Sequence, residues 1–264
     1  MFGSFTGNPT TGSSDWGEEL LNNVASRSIA RLFTQSESVE VQIRCSPSSK
    51  LLQGSIDSFK MSGRGLVIRK SFPVHQMIFE TDAVSIDFSS VLSGSLRLKQ
   101  PTQAVAQVVL TEEAICDSFQ ADLVVRRLRD LHLPGLEAIA GDRPVSFENV
   151  AVELHPQNRI QLSAIAQIPE LGDIPIALST TVRVERRRRI VFADAEFLAD
   201  LVPESTREAS ELLSRALIDA LNDMVDLDRF DLDGVLLRLN RLETQGKTLV
   251  FSGYAQISHF PKSG

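Results

Sequence analysis

The strongest hydrophobic pattern in the chain lies between residues 203 and 225, where apolar side chains recur at spacings of three and four. This spacing places them on one side of an α-helix, while acidic and basic side chains fall on the other side. The apolar stripe consists of Ala209, Leu212, Leu213, Ala216, Leu217, Ala220, Leu221 and Met224. The pattern therefore predicts a long helix whose apolar face needs a partner.

Directly after this helix the period of the pattern changes to two. Val235, Leu237 and Leu239 occupy alternate positions, and a Thr-Gln-Gly-Lys turn at 244–247 precedes a second apolar run at 249–257. A period of two is typical of a strand with one buried face. The sequence therefore predicts a β-hairpin that follows the long helix.

The same criteria predict the remaining elements. Residues 1–14, rich in Gly, Ser, Thr and Asn, are expected to form a disordered tail, and residues 15–260 a single domain. Within it, helices are predicted at 15–33 and 111–133, and strands at 38–44, 56–68, 77–86, 96–110, 145–154, 159–168, 176–185 and 190–192. Long antiparallel strands mixed with a few long helices indicate an α+β fold, with helices packed on one face of a curled sheet.

One internal regularity accompanies this order of elements. Three times a predicted helix leads into a pair of strands, and the segment 164–168 occupies the same place in its pair as the segment 253–257 in the last pair. The two segments read Ala-Ile-Ala-Gln-Ile and Gly-Tyr-Ala-Gln-Ile. A duplication within the chain and a chance similarity both explain so short a match.

Composition narrows the range of functions. The formal net charge of −7 argues against a general nucleic-acid binder, which would carry a basic excess. No apolar run approaches the ~18 residues that span a bilayer, and the first residues do not resemble a secretory signal. Cys45 and Cys116 form no metal or redox motif and are expected to be reduced. We therefore expect a cytoplasmic or membrane-peripheral protein.

The sequence proposes neither an enzyme nor a cofactor. It contains no G-x-S-x-G, H-E-x-x-H or Walker motif, and its four histidines are scattered. An acidic run at 223–233 precedes Gly234, but an EF-hand in that register would place Arg229 and Asn240 at positions that need acidic ligands. We expect a turn there, with aspartates bonded to the local backbone.

Several stretches together resemble the LmeA-like phospholipid-binding family of bacterial proteins, formerly a domain of unknown function. They are MSGRGLVIRKSF (61–72), ETDAVSIDFSSVLSGSLRLKQPTQAVAQVVLTEE (80–113), VERRRRI (184–190) and DMVDLDRFDLDGVLLRLNRLETQGKTLVFSGYAQI (223–257). The resemblance covers roughly residues 20–260 and includes no catalytic signature. It implies a tubular lipid-binding type of fold, in which a highly curved antiparallel sheet wraps a long helix and acyl chains lie between them.

The resemblance implies that the helix at 203–225 and the hairpin after it form a candidate lipid site. The predicted lipid-binding residues are Leu212, Leu213, Ala216, Leu217, Leu221, Met224, Val235, Leu237, Leu239, Leu249 and Phe251. The predicted ligand is a phospholipid or another acyl lipid, which could be held without a polar motif because each buried CH₂ group contributes ~0.8 kcal/mol. The alternative is a protein-interaction or scaffold module of the same fold, in which the stripe is filled core and no lipid is carried.

A run of arginines is the second candidate site. The predicted contacts for a lipid headgroup or an anionic membrane surface are Arg183, Arg186, Arg187, Arg188 and Arg189. Guanidinium groups match phosphate oxygens in a bidentate manner, which suits a phospholipid headgroup. The alternative is a solvated hairpin bend whose arginines pair with neighbouring acids.

Overall fold

The computed structural model describes residues 15–31, 33–47, 49–68, 70–93, 97–224 and 234–259. The helices are α1 (Asp15–Ala30), α2 (Ser49–Leu52), α3 (Phe88–Leu92), α4 (Glu112–Phe119), α5 (Asp122–Val125), α6 (Glu137–Ala140) and α7 (Arg207–Met224). The strands are β1 (Ser38–Arg44), β2 (Ser55–Ile56), β3 (Ser58–Ile68), β4 (Phe72–Thr81), β5 (Val84–Ser85), β6 (Thr102–Thr111), β7 (Ser146–Leu154), β8 (Arg159–Ile168), β9 (Gly172–Glu185), β10 (Arg189–Phe197), β11 (Val235–Gln245) and β12 (Thr248–Ile257). None of these helices is long and apolar enough to cross a membrane.

The strands form two main antiparallel sheets. The first has six strands in the order β1-β3-β4-β6-β12-β11, the second has four in the order β10-β9-β8-β7, and β2 pairs with β5 as a short ribbon. The α+β class is thus confirmed. The chain twice places a helix before a four-stranded meander, α1 before β1-β3-β4-β6 and α4 before β7-β8-β9-β10. In the same way, α7 precedes the β11–β12 hairpin, and this hairpin extends the first sheet because β12 pairs with β6.

The two segments with similar sequences occupy equivalent strands. Each lies in the second strand of the hairpin that opens its unit, β8 in one case and β12 in the other. Their inward side chains alternate in the same way, and the buried members are Ala164, Ala166 and Ile168 in β8 and Gly253, Ala255 and Ile257 in β12. The correspondence of position and burial is consistent with a duplication, which stays a prediction.

A first core forms where α1 packs on the edge of the six-stranded sheet. Leu21, Ala25 and Ile29 recur at helical spacing and are buried against Val41 and Ile43 of β1. The cluster continues through Phe59 and Met61 of β3 to the short β2–β5 ribbon. We call this cluster the α1 core.

A second and larger core forms between α7 and the four-stranded sheet. Leu213, Leu217 and Leu221 lie in one cluster with the inward side chains of β7, β8 and β9. Half-buried side chains of α4 pack against the same cluster, which extends to Leu242 and Leu249 of the last hairpin. We call it the α7 core. The predicted apolar face of the long helix therefore faces the second sheet.

One predicted helix is much shorter in the structure. The periodicity at 111–133 predicted a single helix, but α4 ends at Phe119 and α5 covers only four residues. The chain beyond them runs alongside β7, where the Phe147 N–H donates to the Leu128 carbonyl oxygen at 2.8 Å and Leu131 pairs with Val145. Pairing with a neighbouring strand outweighs the local helical pattern here.

The predicted bounds of the strands agree best with the observed bounds where apolar and polar residues alternate regularly. The predicted strands at 38–44 and 159–168 correspond to β1 and β8 at both ends. Pro73 is the second residue of β4 and lies opposite Val67 of β3. Proline is tolerated near the start of a strand because fewer ladder hydrogen bonds are needed there. The predicted tail at 1–14 lies outside the described residues.

Candidate functional site

The strand register defines an inner face on the six-stranded sheet, where side chains of neighbouring strands stand in rows. The first row contains Phe59, Thr81, Ala104, Ala255 and Leu237. The second contains Met61, Phe79, Ala106, Gly253 and Leu239, and the third contains Gly63, Met77, Val108, Phe251 and Leu242. Both cores lie on this face, since Phe59 belongs to the α1 core and Leu242 to the α7 core.

An apolar strip with mostly small side chains occupies the middle of this face, and we call it the trough. Its members are Ala104, Ala106, Val108, Leu237, Leu239, Gly253 and Ala255. Among the residues that the structure describes, neither core includes them. Ala104, Gly253 and Ala255 are buried, whereas Ala106, Val108, Leu237 and Leu239 are partly exposed. The trough is therefore an apolar strip of the inner face that belongs to neither core.

Larger side chains border the trough. Met77 and Phe79 stand along one side, half-buried against the α1 core. Phe251, also half-buried, stands at one end, in the third row beside Val108, where it packs against the α7 core. The combination of small residues within the trough and flexible methionine and phenylalanine side chains along its border suits an adaptable apolar ligand.

An apolar cavity lies at one end of the trough, beneath the β2–β5 ribbon. It is lined by Ile43, Ile56, Phe59, Phe79, Thr81, Val84, Ile86, Leu98, Thr102 and Ile257. The space between its walls, open solvent at the mouth included, is about 310 Å³, but the centre of a water-sized sphere can occupy only about 10 Å³ of it, room for about one water molecule. An acyl chain would enter only if wall side chains such as half-buried Phe79 and Leu98 rotated.

The predicted lipid-binding residues separate into different environments. Leu237 and Leu239 lie in the trough, Phe251 lies at its end, and Met224 is half-buried against the α7 core. Those packed within the α7 core are Leu213, Ala216, Leu217, Leu221 and Leu249, all less than a tenth exposed. Leu212 is half-buried at the margin of that core, and the side chain of Val235 lies outside the described part of the structure.

Glycine is required at position 253 because the backbone of the neighbouring strand β11 lies very close to it. A Cβ atom at this position would lie 2.1 Å from the Arg238 carbonyl oxygen and 2.9 Å from the Leu239 Cα. The register of β11 against β12 shifts between Leu239 and Arg241, which marks a β-bulge at the same point. Only glycine permits this close approach of the two backbones.

The arginine run forms the tip of the β9–β10 hairpin. Arg186 and Arg187 both have left-handed backbone angles, with φ of 49° and 61°, as in the tight turns that join twisted antiparallel strands. Arg183, Arg186, Arg187 and Arg188 are exposed, and Arg189 is half-buried. The predicted bend is thus a hairpin tip that presents four guanidinium groups to solvent.

This tip and the β7–β8 turn cover the outer edge of β11. The Leu239 N–H donates to the Arg187 carbonyl oxygen at 2.7 Å. Asn158 in the other turn accepts from the Thr244 N–H at 2.9 Å and donates to the Leu242 carbonyl oxygen at 3.0 Å. Backbone groups that an edge strand would leave unpaired are therefore satisfied, and the second sheet is joined to the first.

Arg187 and Arg189 make specific side-chain contacts. The Arg187 guanidinium lies 5.7 Å from the centre of the Tyr254 ring, a cation–π distance. Arg189 donates to the Asn222 carbonyl oxygen at 2.8 Å and lies 3.8 Å from the Asp223 carboxylate. A cation at the carboxyl end of α7 is favoured by the helix dipole, so Arg189 ties the hairpin to this helix.

Within the described part of the chain, the clearly shifted titratable groups are all carboxylates stabilised in their charged form. The described residues with clearly shifted pKa values are Asp57, Asp87, Glu112 and Glu137, and each pKa is lowered. For Glu112 the main cause is the Leu154 N–H, which donates to the carboxylate at 2.7 Å, with Lys247 beside it at 3.3 Å. A catalytic acid would need a raised pKa instead. No group of three metal-ligating side chains occurs in the described ranges, and the acidic run at 225–233 lies outside them.

Sequence patterns alone missed most of the trough. In β6, Ala104 and Ala106 alternate with Gln103, Val105 and Gln107, so the larger apolar side chain is on the outer face and the pattern does not single out the alanine face as the inward one. The trough becomes visible only through the register that places β6 beside β12 and β12 beside β11.

Comparison with known proteins adds a family assignment. A family model described as LmeA-like phospholipid-binding matches residues 12–253 of the 264-residue chain. No curated protein matches the chain significantly. The match includes the whole of β6 and β11, and most of β12.

Proposed function

The chain belongs to the LmeA-like phospholipid-binding family, and on that premise we propose that it binds a phospholipid by laying an acyl chain along the trough. The observation that carries this proposal is the apolar strip outside both cores, four of whose seven members are partly exposed. An apolar strip left outside the cores is what a carrier of lipid tails needs, whereas a scaffold would gain stability by merging the two cores.

The size of the trough is appropriate for an acyl chain. From Phe251 to the cavity beside Ile257, the path follows β12 over seven residues, which is about 20 Å at the ~3.4 Å rise of an antiparallel strand. If about eight CH₂ groups left water along this path, the transfer would contribute roughly 6 kcal/mol. That is sufficient for binding without a dedicated polar site.

The trough and not the α7 stripe is proposed as the contact surface for the lipid. Leu213, Leu217 and Leu221 are at most 1% exposed, so a ligand could reach them only by breaking the α7 core. Leu237, Leu239 and Phe251 are partly exposed on the inner face. The stripe then supports the site, while the hairpin residues contact the acyl chain.

The experiment is to fill the trough. Ala106→Phe places a bulky ring among Phe79, Leu239 and Gly253, where the acyl chain would lie. Native mass spectrometry of the purified full chain should show a bound phospholipid on the wild type, and uptake of a fluorescent phospholipid should fall at least tenfold in the variant. Val108→Phe, one row further along, should act in the same way if Ala106→Phe fails to fold.

The matched control is Gln107→Phe, which introduces the same ring one residue away on the opposite, exposed face of β6. It should leave lipid uptake within twofold of wild type. A folded wild-type protein that never carries or takes up phospholipid would contradict the carrier and favour the scaffold module. Equal loss in Gln107→Phe and Ala106→Phe would show that the effect is not specific to the trough.

A further inference from the structure

From its place at the edge of β11, the tip of the arginine hairpin extends one side chain over the face of the first sheet that points away from the trough. Arg187 stacks on Tyr254, which alternates along β12 with the inward-facing Gly253 and Ala255. Successive side chains of a strand point to opposite faces. The Arg187 guanidinium therefore stands on the outer face, across the sheet from the proposed acyl site.

Large apolar side chains surround this contact on the outer face. Tyr254 is paired with Val105 of β6 on one side and with Arg238 of β11 on the other, and Leu236 lies two residues before Arg238. Val105 is 55% exposed, Tyr254 46% and Leu236 43%. Isolated apolar side chains on a surface are ordinary, but three such neighbours beside an arginine cluster form an interaction surface.

We propose that this surface docks the protein on an anionic lipid bilayer. The docking face, as we call it, consists of Arg186, Arg187, Arg188, Tyr254, Val105 and Leu236. The proposal rests on the proposed function, since a protein that exchanges acyl chains has to meet a membrane. It assigns the arginines to the bilayer surface and not to the headgroup of the bound lipid.

Charge and chemistry both favour a bilayer as the partner. The chain carries a net charge of −7, yet four of the five residues from 185 to 189 are arginines, so positive charge is concentrated at this tip. Anionic membrane surfaces attract such clusters, and tyrosine is enriched at the membrane–water interface. A soluble phosphate would engage the guanidinium groups but would leave Tyr254, Val105 and Leu236 uncovered.

The test is cosedimentation of the full chain with lipid vesicles. Vesicles of equal parts phosphatidylcholine and phosphatidylglycerol should bind the protein at low salt, and vesicles of phosphatidylcholine alone should bind it much less. Since each arginine near an anionic surface contributes about fivefold to binding, the double variant Arg186→Gln/Arg188→Gln should bind about 25-fold more weakly. Tyr254→Ala should weaken binding also at high salt, where the charge contribution is screened.

The control is Arg126→Gln/Arg127→Gln, an exposed pair at the end of α5 that makes the same change in net charge. It should change vesicle binding less than twofold. Equal weakening by both pairs would overturn the docking face, because the effect would then follow net charge alone. Equal binding of the wild type to the two kinds of vesicle would also overturn it.

The docking face and the trough can fail separately. Ala106→Phe should lose its bound phospholipid yet bind anionic vesicles as the wild type does, whereas Arg186→Gln/Arg188→Gln should keep its bound phospholipid. If folded Ala106→Phe lost vesicle binding as well, the outer face would not be an independent docking surface. If Ala106→Phe kept its phospholipid while the arginine variant lost vesicle binding, the proposed function would be contradicted and the docking face would stand.

Discussion

Leu217→Ala tests whether the apolar stripe of α7 is core or lipid site. Leu217 is 0% exposed and shares the α7 core with Leu162 and Leu178, themselves at most 1% exposed. At such sites Leu→Ala removes buried methyl groups and leaves a cavity, at a cost of about 3–5 kcal/mol. For a chain of this size we expect the thermal midpoint to fall by roughly 8 °C.

Urea denaturation of lipid-free protein, followed by circular dichroism, measures this cost. Lipid has to be removed first, because a ligand that binds only the folded state adds to the apparent stability. The matched variant is Leu239→Ala in the trough, where the side chain is already partly exposed. It should cost only about 1 kcal/mol but lower the affinity for phospholipid, while folded Leu217→Ala should bind phospholipid like the wild type.

The opposite result for these variants would refute the assignment of the α7 stripe to the core. If Leu217→Ala lowered the free energy of unfolding by less than about 1 kcal/mol and abolished lipid binding, the α7 stripe would face an open groove. The trough would then be a surface feature of the first sheet.

Two further predictions concern the framework of the site. Gly253→Ala should lower the free energy of unfolding by about 2–3 kcal/mol, because the new Cβ would lie 2.1 Å from the Arg238 carbonyl oxygen. Ser252→Ala, measured in the same urea titration, should change the free energy of unfolding by less than about 0.5 kcal/mol. Similar values for the two variants would contradict the close approach of the two backbones. Glu112→Gln should be less stable than wild type at neutral pH, because the lowered pKa of Glu112 means that folding favours its charged form. The stabilisation by charged Glu112 is fully present above the ordinary pKa of a glutamate and is lost as the pH falls through the lowered pKa of the folded state. The urea midpoints of the wild type and Glu112→Gln should therefore converge in acid. A difference between the midpoints that stays constant with pH would contradict this prediction.

Alternation and helical spacing predicted the elements where one face of a segment is buried by a single partner. In β1 the buried Val41 and Ile43 alternate with exposed residues, and in α7 the buried Leu213, Leu217 and Leu221 recur every four. In each case local periodicity reports directly on packing. The α+β class followed from these elements together.

Patterns that depend on distant pairing could not be predicted in the same way. The residues after α5 resemble a helix in sequence, but hydrogen bonding between Leu128 and Phe147 draws them along β7. The trough is a further case, because Ala106 and Gly253 are more than a hundred residues apart and meet only through the β6–β12 register. Small residues also give a weak hydrophobic signal, which is why larger leucines nearby were predicted instead.

The arginine run illustrates what a local composition can and cannot indicate. The density of charge at 183–189 predicted a phosphate-binding tip, and the hairpin places that density at its exposed end. The sequence did not predict that Arg187 would stack on Tyr254, nor that Arg189 would bind the end of α7. Both contacts join segments that lie far apart along the chain.

The most direct test of the central claim is photo-cross-linking with a phospholipid that carries a photoreactive group in its acyl chain. After binding and irradiation, the labelled residues of the full chain are identified by mass spectrometry of its peptides. We predict that the labels fall in β6, β11 and β12, at trough positions such as Ala106, Val108 and Leu239. Labels concentrated on Leu213 and Leu217 of α7, with none in the trough, would contradict the account.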